Sequence, residues 1–336
     1  MQAASPVVTF AVLGCGRIGR MHANGLARHP RARLLSVFDI SDTAASETAA
    51  RLGVAKAATV EAILADKSIQ AVLIATPTNT HVDMIIAAAK AGKAILCEKP
   101  IDLDMQRVLM CEREIAPCDT TIMIGFNRRF DPAFRAIRDR VQRGEIGKVE
   151  QVIITSRDPE PPAMGFIGAS GGMFRDMAIH DFDMARYLVG DIAEVHAFGS
   201  VLVDKAIGDA GDIDSGMINL RARSGALVHI NNTRRCVYGY DQRLEVFGAE
   251  GMLLAGNHAT TTVQSFTGRH TGAADLLLHT FIERYPEAYA AEVDHFVECL
   301  HGGIAPLTNF RDGIEALRLA EAALESMHTG RTVKLD

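Results

Sequence analysis

Hydrophobic positions in the first 125 residues come as short unbroken runs, each followed by a segment with helical spacing. The first run, Val7-Val8-Thr9-Phe10-Ala11-Val12-Leu13, is long enough for a strand buried on both faces of a parallel sheet. It leads into Gly14-Cys15-Gly16-Arg17-Ile18-Gly19, after which Ile18, Met21, His22 and Leu26 recur at helical intervals. A second strand over residues 34–38 ends on Asp39, and further runs follow at 71–75, 94–97 and 121–124. Thr80 with Asp83 three residues on reads as a capping box for the helix after the third run. Strands alternating with helices through short connections predict an α/β fold, a doubly wound parallel sheet of Rossmann type over residues 1–125.

After Gly125 the rhythm changes. Helical segments over 132–143 and 171–188 frame apolar runs at 149–156, 193–203, 215–223, 226–233, 242–247 and 260–266. Arg223-Ser224-Gly225 reads as a hairpin turn between two of them. The pattern predicts an α+β domain over 126–336 with a large, mostly antiparallel sheet. Helices cover one face; the other is open and poor in Lys and Arg, which points to burial against another subunit.

The segment Phe174-Arg175-Asp176-Met177-Ala178-Ile179-His180-Asp181-Phe182-Asp183 carries the most chemistry. On one helix, Asp176, His180, Asp183 and Tyr187 fall at i, i+4, i+7 and i+11, opposite Ala178, Phe182, Ala185 and Val189. A solvated face shows a broad charged band. This thin polar line among Met177, Met184, Leu188 and Ile179 fits a helix lining a partly dry pocket, where a carboxylate orients a histidine for proton transfer. A surface helix with a chance Asp–His pair, or a metal-ligating pair, would share the spacing.

Elsewhere the glycine-rich turn is informative because of its context. A strand precedes it, a helix follows, and Asp39 lies twenty residues after Gly19 at the end of the next strand. Gly14 permits the turn, Gly16 lets backbone approach a pyrophosphate, and Gly19 brings helix close to strand. The helix N-terminus then offers amides and dipole to the phosphates. Asp39 would accept from ribose hydroxyls and repel a 2′-phosphate, which favours NAD over NADP. Ligands of such sheets sit beyond the carboxyl ends of the strands. The expected cofactor contacts are therefore Gly14, Gly16, Arg17, Ile18, Gly19 and Asp39, with Thr76, Pro77, Asn79, His81, Glu98 and Lys99 at later strand ends. Lys99, in Glu98-Lys99-Pro100, is placed to hydrogen-bond a reacting hydroxyl beside the nicotinamide.

Composition narrows the classes. A chain of 336 residues exceeds one ordinary core, and 48% hydrophobic with 23% charged residues is an ordinary globular balance. A net charge of −6 gives no footprint for nucleic acid or an anionic membrane. Residues 1–6 carry no positive charge of a leader, and no run is long enough to span a bilayer. Cys15, Cys97, Cys111, Cys118, Cys236 and Cys299 are scattered without zinc-site spacing, as expected of reduced thiols in a cytoplasmic protein without metal.

A Rossmann pattern, Glu98-Lys99-Pro100, an Asp-x-x-x-His helix and an open antiparallel sheet together resemble the glucose–fructose oxidoreductase/inositol dehydrogenase (Gfo/Idh/MocA) family across essentially the whole chain. The resemblance implies that Lys99, Asp176 and His180 form the catalytic group, that the cofactor is NAD, and that open sheet faces stack into a homotetramer. Within the family the likeness is to inositol-oxidising members. It is carried by residues 171–176 and 179–183, by 231–235 and 238–243, and by Glu283-Arg284-Tyr285, with Asn127-Arg128-Arg129-Phe130-Asp131 and Ser156-Arg157-Asp158 also fitting. The implied reaction is NAD-dependent oxidation of a ring hydroxyl of myo-inositol to the ketone. Another cyclitol such as scyllo-inositol, or an aldose, stays open as substrate. A cyclitol offers only hydroxyls, so its site needs mixed donors and acceptors; Asn127, Arg129, Asp158, Tyr238, Tyr240 and Tyr285 supply them beside Lys99, Asp176 and His180. Either His180, oriented by Asp176, or Lys99 takes the hydroxyl proton. A catalytically silent NAD-binding sensor is the reading from another class, and retention of all three catalytic residues stands against it.

Overall fold

The unbroken apolar runs form five strands of a parallel sheet, and a short exposed strand that no run predicted, Ala55–Lys56, adds the sixth. β1 (Val8–Leu13), β2 (Ala32–Phe38), β3 (Ala55–Lys56), β4 (Ala71–Ile74), β5 (Ala94–Glu98) and β6 (Ile122–Gly125) make a sheet in the order β3-β2-β1-β4-β5-β6, every pairing parallel. All four residues of β4 are buried, as are five of six in β1. The structure, a computed structural model, describes residues 7–335. Residues 1–6, read above for a leader, lie outside the described residues.

Helices punctuate the strands where local chemistry allows. α1 (Arg17–Arg28) buries Gly19, His22, Ala23 and Leu26 along one stripe. α2 (Asp42–Leu52) starts at Ser41, whose side chain accepts from Ala44 N–H, and ends at Gly53 with φ 66°. α3 (Val60–Ala65) is capped by Thr59 in the same way. α4 (His81–Lys90) departs from expectation. A 3₁₀ turn, Thr78–Thr80, precedes it, so Thr80 already has helical backbone angles and its hydroxyl bonds Thr76 and Pro77. An N-cap needs extended backbone to reach forward, so no capping box forms there. Asp83 pairs with Arg107 of α5 (Met105–Ile115).

In the second sheet β7 (Val149–Arg157), β8 (Ile192–Ser200), β9 (Ser215–Ala222), β10 (Leu227–Thr233), β11 (Asp241–Gly248) and β12 (Gly251–Ala255) are joined by a late strand. The order is β12-β11-β7-β10-β9-β8 and then Val333–Lys334. Only the β7–β10 pairing is parallel. Strict alternation in β9 sends Gly216, Ile218, Leu220 and Ala222 inward. The outer face carries Phe198, Met217, Leu227, Ile153, Phe247, Met252 and Leu254, all exposed.

Two expectations fail in this unit. The run 260–266 does not join the sheet; only Gln264–Phe266 is a strand (β13), paired with β14 (Thr271–Ala274) in a separate hairpin. The tight reversal between Gly248 and Gly251 returns β12 along β11, so β12 takes the edge. The helix over 171–188 is two. After α6 (Pro132–Gln142) and α7 (Met164–Ser170) come α8 (Met173–Asp176) and α9 (Ile179–Val189).

The chain divides into two compact units, Met1–Phe130 with Glu287–Leu317 and Asp131–Pro286 with Arg318–Asp336. A single cut at residue 125 does not anticipate the return of 287–317. Phe296 of the helix Pro286–Gly302 stands 6.0 Å from Phe10 of β1 and is fully buried, so this late segment covers the parallel sheet of the first unit. Beside it Gly313, in the helix Phe310–Thr329, lies where a Cβ would fall 2.5 Å from Ile101.

Candidate active site

The glycine-rich loop begins as β1 ends. Gly14 has φ 100°, and a Cβ there would fall 2.4 Å from the Ala75 carbonyl oxygen. A Cβ on Gly19 would fall 1.9 Å from the Gly14 carbonyl oxygen, so helix and loop touch through the missing side chain. Gly16 differs: nothing lies within 4 Å of its would-be Cβ. Gly16 stands at the N-terminus of α1, which no side chain caps. Asp39 accepts from Cys15 N–H at 2.6 Å and from Ser41 N–H at 2.7 Å, which fixes its carboxylate beside the loop with lone pairs to spare. An open cradle at Gly16 and an immobilised acid at the end of β2 fit a dinucleotide: amides for the pyrophosphate, Asp39 for the ribose diol. Arg17, Ile18 and Gly19 are the first residues of α1.

Further strand ends supply Thr76, Pro77 and Asn79 after β4, and Glu98 and Lys99 at β5. His81 departs from its expected role. Its ring is buried, with Nδ1 2.8 Å from the Pro100 carbonyl and Nε2 2.9 Å from the Thr76 carbonyl. Burial holds its pKa below the ordinary value, so the neutral ring donates to one of these two carbonyls and sits against both loops. Glu98 receives a 2.6 Å contact from His22 Nε2 of α1, and the edge of the Tyr289 ring meets that imidazole. Lys99 follows half-buried. Asn127 and Arg129 lie in the 3₁₀ turn Asn127–Phe130 after β6, both buried. Asn127 Nδ2 has no protein acceptor among the described residues. The Arg129 guanidinium bonds the Leu307 carbonyl at 2.7 Å and Asp312 at 2.9 Å, tying the turn to the returning segment.

In the second unit, α8 and α9 are linked through a widened turn. Met177 N–H bonds the Met173 carbonyl four residues back, and Ala178 N–H bonds the same carbonyl five residues back. Backbone angles stay right-handed through Met177 and Ala178, so this is a π-type bulge, a feature frequent at functional sites. It removes Asp176 and His180 from the regular stripe and leaves both half-buried, while Asp183 is fully buried. Asp181, read above only as part of the segment, anchors α9 to the sheet. Its carboxylate lies 2.9 Å from the Ser156 hydroxyl of β7 and 2.8 Å from Asn232 Nδ2 of β10.

Arg234, just past β10, is fully buried. Its Nη1 lies 3.5 Å from Asp176 Oδ2, and its Nη2 lies 3.4 Å from Asp212 Oδ2. Asp212 also accepts from Met173 N–H at 2.9 Å, so one carboxylate fixes the start of α8 while Arg234 meets its end. Arg234, Asp212, Asp181 and His22 were not singled out by sequence reasoning. Arg234 and Asp181 stood only inside the segments 231–235 and 179–183 that carried the family likeness.

The candidate tyrosines separate. Tyr240 and Tyr285 meet edge to face with centroids 6.1 Å apart, and the Arg284 guanidinium stands 4.8 Å over the Tyr285 ring. Arg284 forms a fully buried 2.6 Å pair with Asp131, the residue that caps α6. Losing one partner would strand a buried charge at about 3–5 kcal/mol. A capping box of Thr280 and Glu283 opens the short helix Phe281–Arg284 that carries this arginine. Tyr238 belongs elsewhere. Its hydroxyl donates to buried Asp241 at 2.8 Å and accepts from Arg157. Burial, with the Asp241 carboxylate beside it, pushes its pKa up to about 12. Arg157 turns toward Asp241, Asn231 and Tyr238, and Asp158 follows it at the end of β7, half-buried.

Among the described residues no helix is long and apolar enough to cross a membrane. A family model described as "Oxidoreductase family, NAD-binding Rossmann fold" matches residues 8–116, and one described as "GFO/IDH/MocA C-terminal domain" matches 134–254. The chain is 47% identical over 332 residues to inositol 2-dehydrogenase of Rhizobium meliloti (strain 1021), covering 98% of this chain and 99% of that protein. A solved myo-inositol dehydrogenase from Corynebacterium glutamicum ATCC 13032 is similar at TM-score 0.95 and 44% identity, with 98% and 99% of the two chains covered. A scyllo-inositol dehydrogenase from Lactobacillus casei, solved with NAD(H) and scyllo-inositol bound, gives TM-score 0.91 at 26% identity, with 98% and 99% covered. With both regions matched and a relative of that identity over nearly its full length, the chain belongs to the Gfo/Idh/MocA family of NAD-binding oxidoreductases.

Proposed function

We propose that this protein oxidises one ring hydroxyl of myo-inositol to the ketone with NAD as hydride acceptor. The observation that carries the reading is the 47% identity to an inositol 2-dehydrogenase across almost the whole of both chains. Bound NAD supplies the acceptor for the hydride. Gly14, Gly16 and Gly19 shape its cradle, Asp39 accepts from the ribose, and Thr76, Pro77, Asn79, Glu98 and Lys99 stand at the later strand ends. His180 takes the hydroxyl proton, Asp176 orients the imidazole and stabilises its protonated form, and Lys99 hydrogen-bonds the reacting oxygen as negative charge grows there. Asn127, Asp158, Tyr240 and Tyr285 contact the remaining hydroxyls. Arg129 and Tyr238, expected as further contacts, have hydrogen bonds to other protein groups.

Likeness to the Lactobacillus casei enzyme supports a second substrate, scyllo-inositol, which differs in the orientation of one hydroxyl. The exposed apolar outer face of the second sheet supports a homotetramer built by stacking those faces. Six free cysteines, five of them buried, fit a reducing, cytoplasmic setting.

The test is NADH formation with myo-inositol, scyllo-inositol and glucose, each with NAD and with NADP. The expected result is highest kcat/KM for myo-inositol with NAD. Tight NAD binding without reduction by any of these would overturn the enzyme reading in favour of a sensor.

A further inference from the structure

We propose that Arg234 is a positioning residue for Asp176 and, balanced by Asp212, sets the pH at which His180 works. The inference rests on the reading of His180 as base and Asp176 as its partner. α8 has only four residues, and a helix of one turn does not hold a terminal side chain by itself. Arg234 supplies what the helix lacks. Its guanidinium is fully buried and stands between two carboxylates, 3.5 Å from Asp176 and 3.4 Å from Asp212. Arg234 is itself held, since its N–H bonds the Asp214 carbonyl at 2.8 Å. The Asp214 carboxylate in turn accepts three backbone N–H groups, from Leu202, Val203 and Asp204. The cation is thus fixed at the end of an interior strand and is not a surface group.

The sign of its effect follows from charge. A cation beside Asp176 reduces the negative potential that favours a protonated imidazole, so Arg234 lowers the pH at which His180 becomes a base. Asp212 works in the opposite sense by neutralising part of Arg234. Other charged groups on the elements around the pair include Arg175 on α8, Asp181, Asp183 and Arg186 on α9, Arg157 and Asp158 at the end of β7, and Arg318, Glu321 and Glu325 on the C-terminal helix. Arg175 is 3.7 Å from Glu321, Arg157 is 3.6 Å from Asp241, and Asp181 is bonded to Ser156 and Asn232, so these groups are common to every variant compared.

The experiment is the pH profile of kcat/KM for myo-inositol in the full-length enzyme and in Arg234→Met, Arg234→Lys and Asp212→Asn. The Asp212→Asn change keeps an oxygen to accept from Met173 N–H while removing the charge. The acid limb is expected to move up by about one pH unit in Arg234→Met and down by roughly half a unit in Asp212→Asn. Arg234→Met should also lose at least tenfold in kcat with the KM for NAD unchanged, and Arg234→Lys should restore the limb. If Arg234→Met does not fold, the Lys and Asn variants carry the test. Limbs that stay put, or move the same way in the Met and Asn variants, overturn the role of Arg234. No turnover of myo-inositol by the unmodified enzyme overturns instead the reading beneath it.

Discussion

Glu292 is fully buried, and among the described residues neither of its carboxyl oxygens has a hydrogen-bond partner. Burial, with Glu98 nearby, pushes its pKa well above the ordinary 4.5. The folded protein therefore keeps a proton that the unfolded chain releases above about pH 4.5, and stability falls as pH rises from there toward the folded pKa. Glu292→Gln removes that dependence. Its melting temperature should match the unmodified protein near pH 5 and exceed it near pH 8 by a few degrees; a difference independent of pH in calorimetry would contradict the assignment. At this scale the place of Gly16 before α1 and of Asp39 at the end of β2 was legible, because both depend on neighbours in sequence. Tyr238 and Arg129 were not, since their partners Asp241, Leu307 and Asp312 are fixed by tertiary packing. His81 looked like a ligand-edge residue for the same reason: sequence shows its place at the strand end but not the two carbonyls that take its ring.

Elements were legible wherever period and caps agreed. Five of the six parallel strands fell within a residue or two of their apolar runs, because a strand buried on both faces has few polar positions to blur it, whereas β3, two exposed residues at the edge, had no run to mark it. The break between α8 and α9 was invisible, since Met177, Ala178 and Ile179 suit a regular turn as well as a widened one and the i→i−5 bond leaves no trace in composition. The glycine loop gives a sharp contrast between two neighbours. Gly16→Ala meets open space at φ −68°, so the melting temperature should stay unchanged while the KM for NAD rises about tenfold or more. Gly19→Ala drives a methyl into the Gly14 carbonyl, so it should lower the melting temperature by several degrees as α1 is pushed from its strand. Equal melting temperatures for the two variants would contradict this account of the loop.

At the scale of the molecule, the order of a parallel sheet followed by a mostly antiparallel one could be read from the change of rhythm after Gly125. The return of residues 287–317 to the first unit could not, because an apolar helix carries no mark of which sheet it covers. The open outer face makes assembly testable: light scattering at low micromolar concentration should report a tetramer, and Met217→Arg should dissociate it. A stable, active monomer would remove the stacked-face reading. We propose that Lys99, Asp176 and His180 act as one catalytic group on a ring hydroxyl. Steady-state turnover of myo-inositol by Lys99→Ala, His180→Ala and the double variant, with NAD affinity measured alongside, tests it most directly. Each single change should lower kcat by about 10²–10⁴-fold, and the double change should cost far less than their product, with NAD affinity little altered. A folded, NAD-bound Lys99→Ala enzyme with near-normal turnover would contradict it.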